Sequence, residues 1–182
     1  MLNANKQPKE FYSLQINNEY YTPDFAVMPL LEFMNPSKNK IIWCPFDKEE
    51  SEFVKVFTKN GYNVIYSHVE TGQNFFEYQP TEFDVIISNP PFQDKKRTFS
   101  RLLSFKKPFA MLMTLTWLND ATPKRLFRNY DLQLLMFEER IKYKNSVDNK
   151  INFSSAYYCY NFLPKQIIMR SLSDNINQQK LL

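Results

Sequence analysis

Residues 84–92 read DVIISNPPF, a short apolar run that is followed at once by Asn-Pro-Pro-Phe. Apolar residues at consecutive positions are typical of a strand that is buried on both faces, as in a parallel sheet. Proline fixes the backbone and has no N–H, so the paired prolines end the strand. The stretch therefore predicts a buried strand over 84–88, with Asn89 presented where the strand ends.

Similar apolar runs alternate with helical patterns along the rest of the chain. Further strands are predicted at 41–44, 63–68, 109–115, 132–137 and 156–162, and helices at 24–34, 48–60 and 122–130. Strands that are apolar on both faces and alternate with helices form a parallel sheet that is covered on two sides. The sequence thus predicts an α/β fold.

Length and composition predict one domain. At 182 residues, 43% of them hydrophobic, the chain is long enough for one core but not for two. We expect residues 1–182 to form that domain, with 1–17 and 165–182 as peripheral tails. No apolar run has the length of a membrane span, and the cysteines are Cys44 and Cys159. We therefore expect a cytoplasmic protein with no membrane partner, no disulfide framework and no metal site.

Basic residues are concentrated in one part of the chain. The net charge is only +4, yet nine basic residues and only two acidic ones lie between Gln93 and Tyr130. Such a segment is typical of a surface that binds a polyanion, although a solvated lysine-rich surface explains it as well. We assign nucleic-acid binding to Lys95, Lys96, Arg97, Arg101, Lys124, Arg125 and Arg128.

Parallel sheets of this kind bind ligands at the carboxyl ends of their strands. In this sequence those ends include CPFD (44–47), SHVE (67–70) and SNPPF (88–92). The last offers two fixed acceptors, Asn89 Oδ1 and the Pro90 carbonyl, beside the ring of Phe92. A flat group with an exocyclic amine, such as a nucleobase, fits these acceptors. The alternative is a proline-stiffened strand end that binds nothing.

The stretch DVIISNPPF resembles the catalytic motif of amino methyltransferases that use S-adenosylmethionine, above all the DNA adenine N6-methyltransferases. Over residues 18–164 the chain is similar to small phage-encoded members of that group. NEYYTP (18–23) resembles the family's first cofactor-binding motif, IIWCPFD (41–47) its first strand and cofactor loop, and FSSAYYCYNFLP (153–164) its closing strands. The resemblance implies a Rossmann-like class I methyltransferase fold, with a mostly parallel seven-stranded sheet and one antiparallel strand near its edge.

The resemblance also implies an activity. The target adenine leaves the DNA stack and enters a pocket, where its N6 amine receives the methyl group of S-adenosylmethionine. Catalysis is thereby assigned to Asn89, Pro90, Pro91 and Phe92. In a phage, such methylation protects DNA from restriction in the cytoplasm of the host.

Cofactor residues are carried over position by position from the resemblance. Asp47 is expected at the amino or the sulfonium side of the cofactor, Glu70 at the ribose hydroxyls and Asn74 at the adenine amine. Either Phe75 or Phe76 is expected to pack on the adenine ring, and a core role is equally open for one of the two. His68 is expected at the cofactor, and the alternative for it is a structural hydrogen-bonding role. The full set is Tyr21, Thr22, Pro23, Cys44, Pro45, Phe46, Asp47, His68, Glu70, Asn74 and Phe75.

Two other functions stay open. The family usually has glycines after its first strand, whereas CPFDKEES (44–51) has none. This difference favours a second function, that of a catalytically weakened protein that binds nucleic acid or a host defence protein. Alternatively, the same chemistry acts on RNA adenine or on a protein glutamine amide. The intact Asn-Pro-Pro-Phe favours the enzyme, and the basic segment favours nucleic acid over protein.

Overall fold

The computed structural model describes residues 21–91, 93–143 and 153–172. Within them lies one seven-stranded sheet with the order β2-β1-β3-β4-β6-β5-β7. The strands are β1 Ile41–Cys44, β2 Asn63–Tyr66, β3 Val85–Ser88, β4 Phe109–Thr114, β5 Gln133–Phe137, β6 Ser155–Tyr160 and β7 Ile167–Arg170. The helices are α1 Asp24–Val27, α2 Glu52–Lys59, α3 Lys95–Ser104 and α4 Ala121–Leu126, with 3-10 turns at Met28–Phe33, Val69–Thr71 and Leu115–Asn119.

The sheet is mostly parallel, as predicted. Strands β2, β1, β3 and β4 pair in parallel, and so do β5 and β7. Only β6 runs antiparallel among the described strands, and it pairs with both β4 and β5. The antiparallel strand therefore lies two positions in from the β7 edge.

Two hydrophobic cores cover the two faces of the sheet, because successive side chains of each strand point to opposite faces. In the first core, Ile42 and Ile87 pack with residues of α1 and α2. In the second, Trp43 and Ile86 pack with residues of α3 and with Phe127, just after α4. The helices thus cover both sides of the sheet.

Helix α2 shows how the local sequence sets an element's bounds. Its predicted start was residue 48, but the helix begins at Glu52 because the Ser51 side chain accepts the N–H of Phe53 and caps the first turn. It ends before Gly61, whose φ of 82° suits a residue without a Cβ. The first predicted helix is likewise shortened: Pro29 has no N–H, and the chain continues there as a 3-10 turn.

Two elements were not predicted from the sequence. Helix α3 buries Thr98, Phe99, Leu102 and Leu103, a spacing that follows the helical repeat. Strand β7 lies within the segment 165–182 that we expected to be a peripheral tail, so this expectation is corrected for residues 167–170.

No described helix is both long and apolar enough to cross a bilayer. Nor do the described His, Cys, Asp and Glu side chains form a group of three that would hold a metal ion.

The aromatic centre of the second core generates a stability prediction. Phe99 is fully buried, and its ring centroid lies 4.6 Å from that of Trp117 and 5.9 Å from that of Phe127. We expect Phe99→Ala to lower the free energy of unfolding by about 3–5 kcal/mol, because it leaves a cavity that these rigid rings cannot fill. Met169→Ala, at a side chain that is 54% exposed, is the control and should change the value little. Urea denaturation of both variants measures the difference, and equal decreases would contradict the assignment of Phe99 to the core.

Candidate active site

The ends of β1 and β3 meet at one edge of the sheet, because these strands are parallel neighbours. Pro45, Phe46 and Asp47 follow β1, and Asn89 and Pro90 follow β3. Pro90 is buried and Asn89 half-buried, whereas Pro91 is exposed. Phe92, the fourth residue of the predicted catalytic motif, lies outside the described residues.

Asn89 is joined to the segment that precedes the first helix. Its Nδ2 donates a hydrogen bond to Thr22 Oγ1 at 3.2 Å, across 67 positions of sequence. Its Oδ1 atom is screened from solvent. Thr22 and Pro23 are buried, and Tyr21 is 46% exposed. The structure thus brings the Tyr-Thr-Pro turn and the Asn-Pro-Pro turn together, as a shared site requires.

The carboxylate of Asp47 connects several of these segments. One oxygen accepts a hydrogen bond from Ser51 Oγ, and the other accepts one from Ser88 Oγ. The Asp47 N–H donates to the Ser67 carbonyl at 3.2 Å, beyond the end of β2. Burial raises the pKa of Asp47 to about 6, and the hydrogen bonds from Ser51 and Ser88 oppose that rise.

The turn after β2 holds the predicted ribose-binding residues in different ways. His68 is buried, and its Nδ1 accepts the N–H of Glu70 at 3.2 Å, so this side chain stabilises the turn. Glu70 is exposed and pairs with Lys48 Nζ at 2.7 Å. The hydrogen bond from Lys48 lowers the pKa of Glu70, which keeps the carboxylate charged.

The segment 74–76 is shaped by a side-chain cap and by aromatic packing. Asn74 Oδ1 accepts the N–H of Phe76 at 3.0 Å. Phe75 is only 2% exposed, and its ring centroid lies 5.6 Å from that of Trp43 and 4.8 Å from that of Phe46. Phe75 is therefore a core residue, whereas Phe46 and Phe76 are half-buried at the margin of the core.

Cys44 is also a core residue. Its side chain is fully buried in the first core, and burial raises the pKa of the thiol. Within CPFD (44–47), the structure places Pro45, Phe46 and Asp47 beyond the end of β1, with Pro45 and Asp47 buried and Phe46 half-buried.

The basic residues fall into an exposed group and a packed one. Helices α3 and α4 are in contact. The exposed basic side chains of the two helices are Lys96, Arg97, Lys124 and Arg125, and the exposed Arg128 follows α4 by two residues. Lys95 is half-buried.

Two arginines of α3 pack on aromatic rings. The Arg97 guanidinium lies 4.0 Å from the ring centroid of Phe76. Arg101 packs on Phe105 at 5.0 Å and donates from Nη2 to the Tyr78 carbonyl at 3.3 Å. Arg101 also lies over the Phe75 ring, 5.5 Å from its centroid, so this contact and the hydrogen bond to Tyr78 join α3 to the segment 74–78.

Sequence reasoning missed the serines that organise this site. Ser67 and Ser88 directly precede the predicted site residues His68 and Asn89, and each bonds the segment of β1 or the loop after it. Ser51 bonds Asp47 from four residues further along the same loop. A signal was available for Ser88, since a hydroxyl at the end of a buried apolar run needs a partner.

No protein-family model matches the chain, and neither does any curated protein. Among solved structures, the chain is similar to a modification subunit of a putative type I restriction enzyme from Vibrio vulnificus YJ016. That match has a TM-score of 0.58 and 12% identity, and it covers 92% of this chain and 53% of the other. A second match is a dimethyladenosine transferase from Plasmodium falciparum, with a TM-score of 0.50, 13% identity and coverage of 78% and 62%.

A third match is a putative class I S-adenosylmethionine-dependent methyltransferase from Listeria monocytogenes. It has a TM-score of 0.47 and 12% identity, and it covers 92% of this chain and 71% of the other. The chain spans little more than half the length of the Vibrio subunit. At such identities the likeness shows the fold, and the predicted Rossmann-like class I methyltransferase fold is confirmed.

The raised pKa of Asp47 generates a prediction of stability against pH. Between the ordinary pKa of 3.8 and about 6, the folded chain holds a proton that the unfolded chain releases. The contribution of Asp47 to folding stability therefore falls by about 3 kcal/mol as pH rises through this window and changes no further above it. Asp47→Asn removes this cost, so we expect its free energy of unfolding to exceed the wild-type value at pH 8 and to approach it near pH 4.

Glu70→Gln is the matched control, because the pKa of Glu70 is shifted in the opposite direction. This variant should become less stable at pH 8 rather than more stable. Urea denaturation at pH 4, 6 and 8 measures both variants. A strong decrease in the stability of Asp47→Asn at pH 8 would show that the fold needs the charged carboxylate.

Proposed function

We propose that the chain transfers a methyl group from S-adenosylmethionine to the exocyclic N6 amine of adenine in DNA. One observation carries the proposal: hydrogen bonds join Asn89 to Thr22 and its neighbour Ser88 to Asp47. The residues assigned to the methionine end of the cofactor thus flank the residue assigned to the target amine. Methyl transfer needs this proximity, because the two reacting groups must lie next to each other.

The amine is held by acceptors at the end of β3. Asn89 Oδ1 and the Pro90 carbonyl each accept one N–H, which directs the nitrogen lone pair out of the base plane. The two prolines keep this turn rigid. From the motif we also assign Phe92 to stacking on the base. A base in a duplex must first leave the stack to reach these acceptors.

The chemistry of the nearby residues fits S-adenosylmethionine. When bound, this cofactor supplies an electrophilic methyl group on a positively charged sulfur. Asp47 suits the cationic end of the cofactor. Glu70 suits the ribose hydroxyls, and Asn74 suits the adenine amine. Because Phe75 is buried, we assign the adenine ring to the half-buried Phe76.

The substrate class is inferred from charge and from the solved relatives. Exposed basic side chains of α3 and α4 suit the phosphates of DNA. A restriction-enzyme modification subunit and a dimethyladenosine transferase have similar folds, which supports adenine in nucleic acid as the target and leaves RNA as the nearest alternative substrate. Protection of phage DNA in the host cytoplasm is the role we propose.

A second candidate function is binding without catalysis. The loop CPFDKEES (44–51) has no glycine, whose missing side chain would allow the backbone to approach a cofactor closely. This favours a protein that binds nucleic acid or a host defence protein. Calorimetric titration with S-adenosylmethionine separates the two. Micromolar binding supports the enzyme, whereas no binding, with or without DNA, supports the second candidate.

Asn89→Ala tests the catalytic assignment. We expect methyl transfer from labelled S-adenosylmethionine to unmethylated DNA to fall by about 10²–10³-fold or more, because the amine is left with one of its two acceptors. The melting temperature should change little. Asn63→Ala, at the exposed first residue of β2 and so at the opposite end of the strand from the site, is the control and should keep wild-type activity. Full activity in Asn89→Ala would remove Asn89 from the mechanism.

Salt dependence tests the basic surface. We expect Lys124→Ala/Arg125→Ala/Arg128→Ala to bind duplex DNA more weakly and to flatten the plot of log affinity against log salt by about 0.9 for each phosphate that the variant no longer neutralises. The control is Lys55→Ala/Lys59→Ala on α2, across the sheet. Fluorescence anisotropy at several salt concentrations measures the slope for each variant. If the triple variant has the same slope as the control, DNA binds at another surface.

A further inference from the structure

Ser88 is the last residue of β3 and directly precedes Asn89. Its side chain is fully buried, and its Oγ donates a hydrogen bond to Asp47 Oδ2. A hydroxyl that donates to a carboxylate makes a stronger bond than one that donates to a neutral acceptor. The residue before the proposed catalytic asparagine is therefore bound firmly to the loop after β1.

The Asp47 end of this bond is itself fixed. Its other carboxylate oxygen accepts the hydroxyl of Ser51, which caps α2, and its N–H donates to the Ser67 carbonyl. Two contacts other than Ser88 thus hold Asp47 in place, and a bond to Asp47 transmits that fixed position to Ser88.

The backbone around Ser88 has few other restraints on the β1 side. The register between β1 and β3 ends at the pair Trp43 and Ile86. Pro45 has no N–H with which to extend the ladder, and Pro90 and Pro91 have none beyond Asn89. On this side, the Ser88 side chain takes the place of a ladder hydrogen bond at the point where the proposed catalytic turn begins.

We propose that Ser88 is a positioning residue for Asn89, holding the start of the Asn-Pro-Pro turn against Asp47 so that the amine acceptors face the methyl donor. The inference rests on the proposed methyl transfer. It assigns to Asp47 a second role, as the anchor of the catalytic turn. Because small displacements of reacting groups cost orders of magnitude in rate, removal of the Ser88 bond should lower kcat.

Ser51 provides the matched control. Ser88→Ala and Ser51→Ala each remove one hydroxyl donor from the same carboxylate, but only Ser88 adjoins Asn89. We expect both variants to melt at a lower temperature and to show similar changes in affinity for S-adenosylmethionine. Ser88→Ala should lower kcat by about 10–100-fold at saturating substrate, and Ser51→Ala, which acts on Asn89 only through Asp47, should lower it much less. Ser88→Thr keeps the hydroxyl and should recover most of that decrease.

Ser88→Cys replaces the hydroxyl by a slightly larger group that is a weaker donor, so it provides the kinetic comparison if Ser88→Ala does not fold; we expect its kcat to lie below the wild-type value. Equal kcat values in the Ser88 and Ser51 variants would overturn the positioning role and leave the proposed function in place. A wild-type chain that methylates neither DNA nor RNA would overturn the proposed function, and the positioning role with it.

Discussion

The buried carboxylate of Asp47 is the constraint on which the arrangement of the site depends. Transfer of a charged group from water into a protein interior is unfavourable unless hydrogen bonds compensate it. Two serine hydroxyls bond this carboxylate, yet its pKa is raised to about 6, so burial outweighs them. A fold selected for stability alone has no need of such a group. Asp47 lies where three strands and one helix converge, and its hydrogen bonds join the loop after β1 to the ends of β2 and β3.

The same contacts explain how a loop without glycine takes a definite shape. Pro45 restricts the backbone, the Asp47 N–H bonds the Ser67 carbonyl, and Ser51 closes the loop by capping α2. Aromatic residues of the second core support the neighbouring segment 74–78, where Phe75 packs between Trp43 and Phe46. Rigidity here comes from side-chain bonding and packing, whereas a glycine-rich loop relies on close approach of the backbone.

Elements with a strong local signal were predicted from the sequence, and elements that depend on distant partners were not. The strand over 84–88 and the break after it follow from consecutive apolar residues and two prolines, and β1 was predicted at its observed bounds. Strand β7 was missed because its apolar run, IIM (167–169), is only three residues long, and its pairing with β5 cannot be read locally. The bonds made by Ser88 were missed for a similar reason, since they depend on which segments the fold brings together.

The place of β6 in the sheet has a consequence for the order in which the chain can assemble. Strands β2, β1, β3 and β4 are neighbours, so they can pair as soon as residue 114 has left the ribosome. Strand β5 emerges next, but it is joined to β4 only through β6, which ends at Tyr160. During synthesis β4 therefore presents an open sheet edge until the chain has been extended through residue 160. An exposed edge of this kind is a point at which two nascent chains can pair wrongly, so the interval before β6 docks is when this protein is most exposed to aggregation.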